Sequence, residues 1–138
     1  MSAYTEQQTQ ITDADILKEC LKEKGYPNVE HNEDAKQLVG YHGDKRQQTA
    51  EIILRRSEVN KHSGGASNDI GFKRDANGCF SAIISDYDKH KHDAKWLAEL
   101  KKSYADKKIR KQAKVAGLTF VKRVEGKDGS FKLQFVKA

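Results

Sequence analysis

Residues 86–93, "DYDKHKHD", place Asp86, Asp88, His90, His92 and Asp93 within eight positions. Imidazole together with carboxylate is a donor set for a divalent transition metal. Continued as a strand, the segment would send Asp86, Asp88, His90 and His92 to one side. Such a centre would define a metal-dependent enzyme. Its surroundings argue against it. Lys89, Lys91 and Lys95 are interleaved and would repel a cation. No recognised ligand spacing is present. Asp93 stands where a helix should begin and is placed to cap it. The expectation is therefore a solvated strand end running into a helix, with no resident metal and no cofactor.

The next candidate chemistry is electrostatic. Residues 95–114, "KWLAELKKSYADKKIRKQAK", are dense in Lys and Arg, with Glu99 and Asp106 as their acids. Lys101, Lys102, Lys107, Lys108, Arg110 and Lys111 are the candidate contacts to a protein partner or to phosphates. The formal net charge of +6 permits either. No helix-turn-helix, zinc finger, aromatic RNA-binding motif or GXXG clamp accompanies the helix. RNA or DNA binding is thus the alternative to protein binding. "HSGGASN" lacks the lysine and following helix of a phosphate loop. No nucleophile elbow or dinucleotide fingerprint appears. His31, His42 and His62 fall in turns or loops and suggest no geometry.

These residues need a scaffold, and composition bounds it. The 138 residues suit a single domain over 1–138. With 33% charged and 36% hydrophobic residues, the core should be small and the surface crowded with charge. No apolar run could cross a membrane, and "MSAYTEQQTQI" does not read as a signal peptide. Cys20 and Cys79 stand outside any C-x-x-C spacing and read as reduced thiols, which suits a cytoplasmic protein.

Patterning supplies the elements. A first strand is expected within 3–11. Thr12 and Asp15 then open a helix with Ile16, Leu17, Cys20 and Leu21 on one face, stopped by Gly25 and Pro27. "AKQLVGYH" and "QQTAEIILRR" flank Gly43-Asp44 as a hairpin. Residues 57–68 are polar and glycine-rich, and read as a mobile loop. "DIGFKR" and "CFSAIISD" form a second hairpin across Asn77-Gly78. Gly71 inside a strand signals a bulge or a close backbone approach. A second helix should run from about 93 to 116, with Trp96, Leu97, Leu100, Tyr104, Ile109, Ala113 and Ala116 as its stripe and Gly117 as its stop. "LTFVKRV" and "SFKLQFV" close the chain as a third hairpin. Each half reads strand, helix, Gly stop, strand, turn, strand. The expected fold is α+β: one antiparallel sheet of about six or seven strands, two helices on one face, and an open polar face.

"DIGFKRDANGCF", "WLAELKKSYADKKIRKQAKVAGL" and "DGSFKLQF", in this order, resemble the hypothetical chloroplast reading frame thirty-five family. That family is a domain of unknown function found in plastids, cyanobacteria and other bacteria. The resemblance implies no enzymatic activity. It implies a small accessory protein, with an AAA-type ATPase as a partner class. Asp69, Gly71, Phe72, Arg74, Tyr104, Ala105, Gly117, Asp128 and Gly129 match its pattern, in positions that read as structural. At 106–108 the chain has "DKK" where the family pattern has an aromatic and a histidine. The functional expectation is a non-enzymatic adaptor, using the basic helix and the open sheet face.

Overall fold

A computed structural model describes residues 2–137. It contains β1 (Tyr4–Gln8), α1 (Ala14–Glu23), β2 (Glu30–Val39), β3 (Lys45–Leu54), α2 (Arg56–Ser63), β4 (Ile70–Arg74), β5 (Phe80–Ser85), α3 (Ala94–Val115), β6 (Leu118–Glu125) and β7 (Phe131–Lys137). The protein is α+β and every strand pairing is antiparallel. The strands make two sheets, however. Five are ordered β1-β5-β4-β3-β2, and β6-β7 form a second sheet. The resemblance between the halves therefore ends at element order. The first hairpin joins a large sheet, whereas the last one pairs only with itself among the described residues. The chain divides into two compact units, residues 1–101 and 102–138.

Local chemistry explains most elements. Asp13, rather than Thr12, caps α1, accepting from Asp15 N at 3.0 Å and Ile16 N at 3.1 Å. Ile16, Leu17, Cys20 and Leu21 are all buried, as their spacing requires. Gly25 follows at φ 101°, a conformation that a side chain would strain. Asp93 caps α3, accepting from Trp96 N at 2.9 Å.

The segment expected as a loop over 57–68 is half helix. Residues 56–63 form α2, and Ser67, Asn68 and Asp69 beyond it are buried. The cap of α2 is not local. Asp69 Oδ1 accepts from Arg56 N at 2.7 Å. Asp69 Oδ2 accepts from Val39 N and from Arg55 Nη1, both at 2.7 Å. Arg55 also grips Glu30 with two bonds of 2.9 and 2.7 Å. That contact leads the causes holding the Glu30 carboxyl below its usual range. Glu58, also buried, pairs with Lys61 at 2.6 Å and takes two bonds from Asn28.

The five-stranded sheet is apolar on both faces. Register puts Ile52, Phe72 and Ala82 on one face and Ile53, Gly71 and Ile83 on the other. The second face was expected to be polar and open. It holds a buried cluster of Leu38, Ala50, Ile53 and Ile83, with Tyr4 packed against it. Gly71 makes this packing possible. A Cβ there would lie 2.7 Å from Ala50 Cβ and 3.0 Å from Leu38 Cδ2, so the close-approach reading holds.

The α3 stripe is shorter than expected. Leu97, Leu100, Tyr104 and Ala113 are buried and Trp96 is half-buried, but Ile109 and Ala116 are exposed.

Candidate functional site: a buried histidine pocket and a basic C-terminal unit

The acidic and histidine side chains of residues 86–93 do not converge. The segment is a turn with one 3-10 turn at Asp88–His90, so the strand alternation that would align them is absent. Asp86 and His90 are exposed. Asp88 is fully buried, where its Oδ2 accepts from Ser85 Oγ at 2.7 Å and from Asn68 N at 2.9 Å. No group of three or more His, Cys, Asp or Glu among the described residues is placed to hold a metal. Nor is the segment the solvated strand end expected from sequence. Two of its side chains, Asp88 and His92, are spent inside.

His92 goes elsewhere. It is 1% exposed, and its Nε2 lies 2.5 Å from the Tyr26 hydroxyl. Burial pushes the His92 imidazole down to about 4, against the opposing pull of Asp88. Burial likewise pushes the Tyr26 phenol up to about 12, with the Trp96 side chain opposing. At neutral pH both rings are uncharged, so a single proton is shared between the phenol oxygen and Nε2. Nδ1 is buried without a hydrogen-bond partner. His62 stacks on Tyr26 at 4.2 Å between centroids, and Trp96 meets His92 edge-on at 4.8 Å. With Lys24 and Lys91 these residues line a cavity of about 260 Å³. Sequence reasoning singled out His92 for metal binding and passed over Tyr26 and His62. Nothing local marks them, because the three lie more than 25 positions apart.

The candidate residues of the basic helix lie on different sides of it. At 3.6 residues per turn, Lys101, Lys107, Lys108 and Lys111 fall within an arc of roughly 120° on α3, and Lys102 and Arg110 lie outside it. Lys102 pairs with Glu125 at 3.0 Å and sits 6.0 Å over the Phe131 ring. Arg110 bonds Asp106 at 2.5 Å and lies 3.7 Å over Phe120. Asp106 also pairs with Arg123 of β6, and is itself 7% exposed. The "DKK" departure thus contains the carboxylate that ties α3 to its hairpin. The contacts from Lys102 lead the causes holding Glu125 below the usual carboxylate range.

The hairpin has two different faces. Phe131, Leu133 and Phe135 are half-buried beside Phe120, Arg123 and Glu125. The other face chequers Val124 and Val136 with Lys122, Lys132, Thr119 and Gln134, all exposed. Exposed large apolar residues concentrate here. Of the nine such residues among those described, seven lie within 102–138: Ile109, Val115, Leu118, Phe120, Val121, Val124 and Val136. Charge concentrates here too. This unit holds 11 of the 26 Lys and Arg but 3 of the 20 acids, giving it +8 and leaving −2 on residues 1–101.

These features define an α+β protein with a five-stranded antiparallel sheet at its core and a small, cationic, partly apolar C-terminal unit. The chain belongs to the family described as "Protein of unknown function (DUF1257)", which matches residues 20–134. No curated protein and no solved structure matches it. The positions that carried the first resemblance have structural roles. Phe72 is fully buried, Arg74 bonds the carbonyls of Thr12 and Gly78, and Asp128 turns the last hairpin by accepting from Ser130 N at 3.1 Å. No helix among the described residues is long and apolar enough to cross a membrane.

Proposed function

We propose that this protein is a non-enzymatic accessory or adaptor protein of the cytoplasm that binds a protein partner through its C-terminal unit. The observation that carries this is the concentration of exposed apolar side chains, interspersed with basic ones, within residues 102–138. Protein interfaces need an apolar centre with a polar or charged border, and neither alone suffices. Lys107, Lys108 and Lys111 belong to the same unit and add to its positive charge. The resemblance to the chloroplast reading frame thirty-five family supports the same reading and points to an AAA-type ATPase as the partner class.

The +8 charge of residues 102–138 favours a second reading, in which the unit binds RNA or DNA. The two separate on nuclease and salt. An adaptor gives a nuclease-resistant complex in affinity capture that partly survives Lys107→Glu with Lys108→Glu, because apolar contacts remain. Submicromolar binding to RNA or DNA at about 150 mM salt, abolished by that double reversal, would replace the adaptor reading with the nucleic-acid one.

A further inference from the structure

We infer that the outer edge of β7 is a docking site for an acidic, extended polypeptide segment that adds to the β6-β7 sheet as a third strand. This inference rests on the adaptor reading and names the kind of partner.

Three observations converge on that edge. First, among the described residues β7 is paired on one side only, by β6. A strand so placed presents unpaired N–H and C=O groups, which are a template for another strand. Second, the two edges of the hairpin differ. The ladder shifts register between Phe120 and Lys122, so β6 bulges at Val121, whereas β7 runs seven residues without an extra residue. Bulges disrupt pairing, which leaves β7 as the receptive edge. Third, the edge carries selective charge. β7 has Lys132 and Lys137 and no acid, within a unit of +8. A second copy of this chain would bring the same charge and be repelled. An acidic strand would be attracted.

The side-chain pattern specifies the partner further. Phe131, Leu133 and Phe135 share one face of β7, and Lys132, Gln134 and Val136 share the other, with Lys122 diagonal to Lys132. An added strand continues both faces. Its matching pattern alternates apolar residues beside the phenylalanines with Glu or Asp beside Lys132, and ends in an acid beside Lys137, which lies at the end of the phenylalanine face. A nucleic acid offers the negative charge but no apolar row and no backbone ladder. A strand alternating acid and apolar residue satisfies all three demands.

The test uses the full chain and an eight-residue peptide alternating Glu with Val, prepared in both alternation offsets. Two further versions of each are prepared, N-methylated on one or the other alternate set of amides. Methylation leaves charge and side chains unchanged but removes the ladder donors on one edge. Fluorescence anisotropy should show binding of at least one unmodified peptide. Affinity should fall roughly tenfold or more on methylation of either alternate set that faces β7, and by a similar factor for Lys132→Glu with Lys137→Glu. Backbone amide shifts should concentrate in 131–137. Circular dichroism checks that the double variant, at two exposed positions, keeps its fold. Four outcomes overturn the inference: neither peptide binds, methylation of both sets is without effect, shifts appear away from β7, or an oligonucleotide of equal charge binds more tightly than the peptides. The adaptor reading fails separately, when no nuclease-resistant partner is captured. A captured partner indifferent to Lys132→Glu with Lys137→Glu would keep the adaptor and discard the strand.

Discussion

The Tyr26 hydroxyl and His92 Nε2 lie 2.5 Å apart, joining the loop after α1 to the turn before α3. This contact reverses what the "DKHKH" stretch suggests by itself. The two histidines are unlike. His90 is exposed, its Nδ1 donating to the Tyr87 carbonyl, while His92 is inside. His90→Ala should change stability by no more than about 0.5 kcal/mol. His92→Ala and Tyr26→Phe each leave a buried polar partner unsatisfied and should cost about 1–3 kcal/mol. Urea unfolding of the three variants checks this. Equal effects at His90 and His92 would contradict the burial assignment.

Stability should fall with acid through this same residue. Folded His92 is pushed down to about 4 from the ordinary 6.5, mainly by burial. Between those values the unfolded chain binds the proton and the folded chain does not. Stability from His92 is therefore full above about pH 6.5 and is lost as pH falls towards about 4, amounting to at most ~3 kcal/mol. Unfolding free energies measured across that window should slope less steeply for His92→Phe than for the unmodified chain.

Asp106 is the carboxylate between two guanidiniums, Arg110 on α3 and Arg123 on β6. Asp106→Asn removes the charge but keeps the shape. It should loosen residues 102–137, costing on the order of 1–3 kcal/mol given that both arginines are partly exposed. Amide hydrogen exchange should quicken in β6 and β7 and stay unchanged in β3 to β5. Uniform change across both sheets would contradict it.

The buried part of the α3 stripe can be read by truncation. Leu100 is fully buried and Ile109 is 41% exposed. Leu100→Ala should cost on the order of 2–5 kcal/mol. Ile109→Ala should cost well under 1 kcal/mol by comparison. Thermal midpoints that rank these two the other way would mean the helix presents a different face.

Gly71 has no room for a side chain on the face that holds Leu38 and Ala50. Gly71→Ala should lower stability by about 1–3 kcal/mol through overpacking. An accompanying Leu38→Val should recover a small part of the loss, since it relieves the contact with Leu38 but leaves the closer one with Ala50. Calorimetry of the single and double variants measures that recovery.

Short-range pattern was legible in the sequence wherever an element's form depends on residues within a turn or two of each other. The apolar stripe of α1, the Asn77-Gly78 turn, the Gly25 and Gly117 stops and the alternation of Phe131, Leu133 and Phe135 all follow from spacing, and all are present. The same holds for the α+β class, which follows from the mixture of periods. What tertiary structure decided depends on residues far apart in the chain. The helix α2 has little apolar periodicity, and its cap comes from Asp69, which folding brings back to Arg56. His92 is buried because Tyr26, 66 positions away, arrives to bond it. Asp106 looked like a departure from a pattern until Arg123 was placed against it. Seven strands could form one sheet or two with the same local preferences. Hydrogen-bonding edges are alike in any strand, so which edges meet is settled by the packing of side chains from the whole chain. Here that packing left β6 and β7 in a sheet of their own, with an edge and a charge that the sequence alone did not place together.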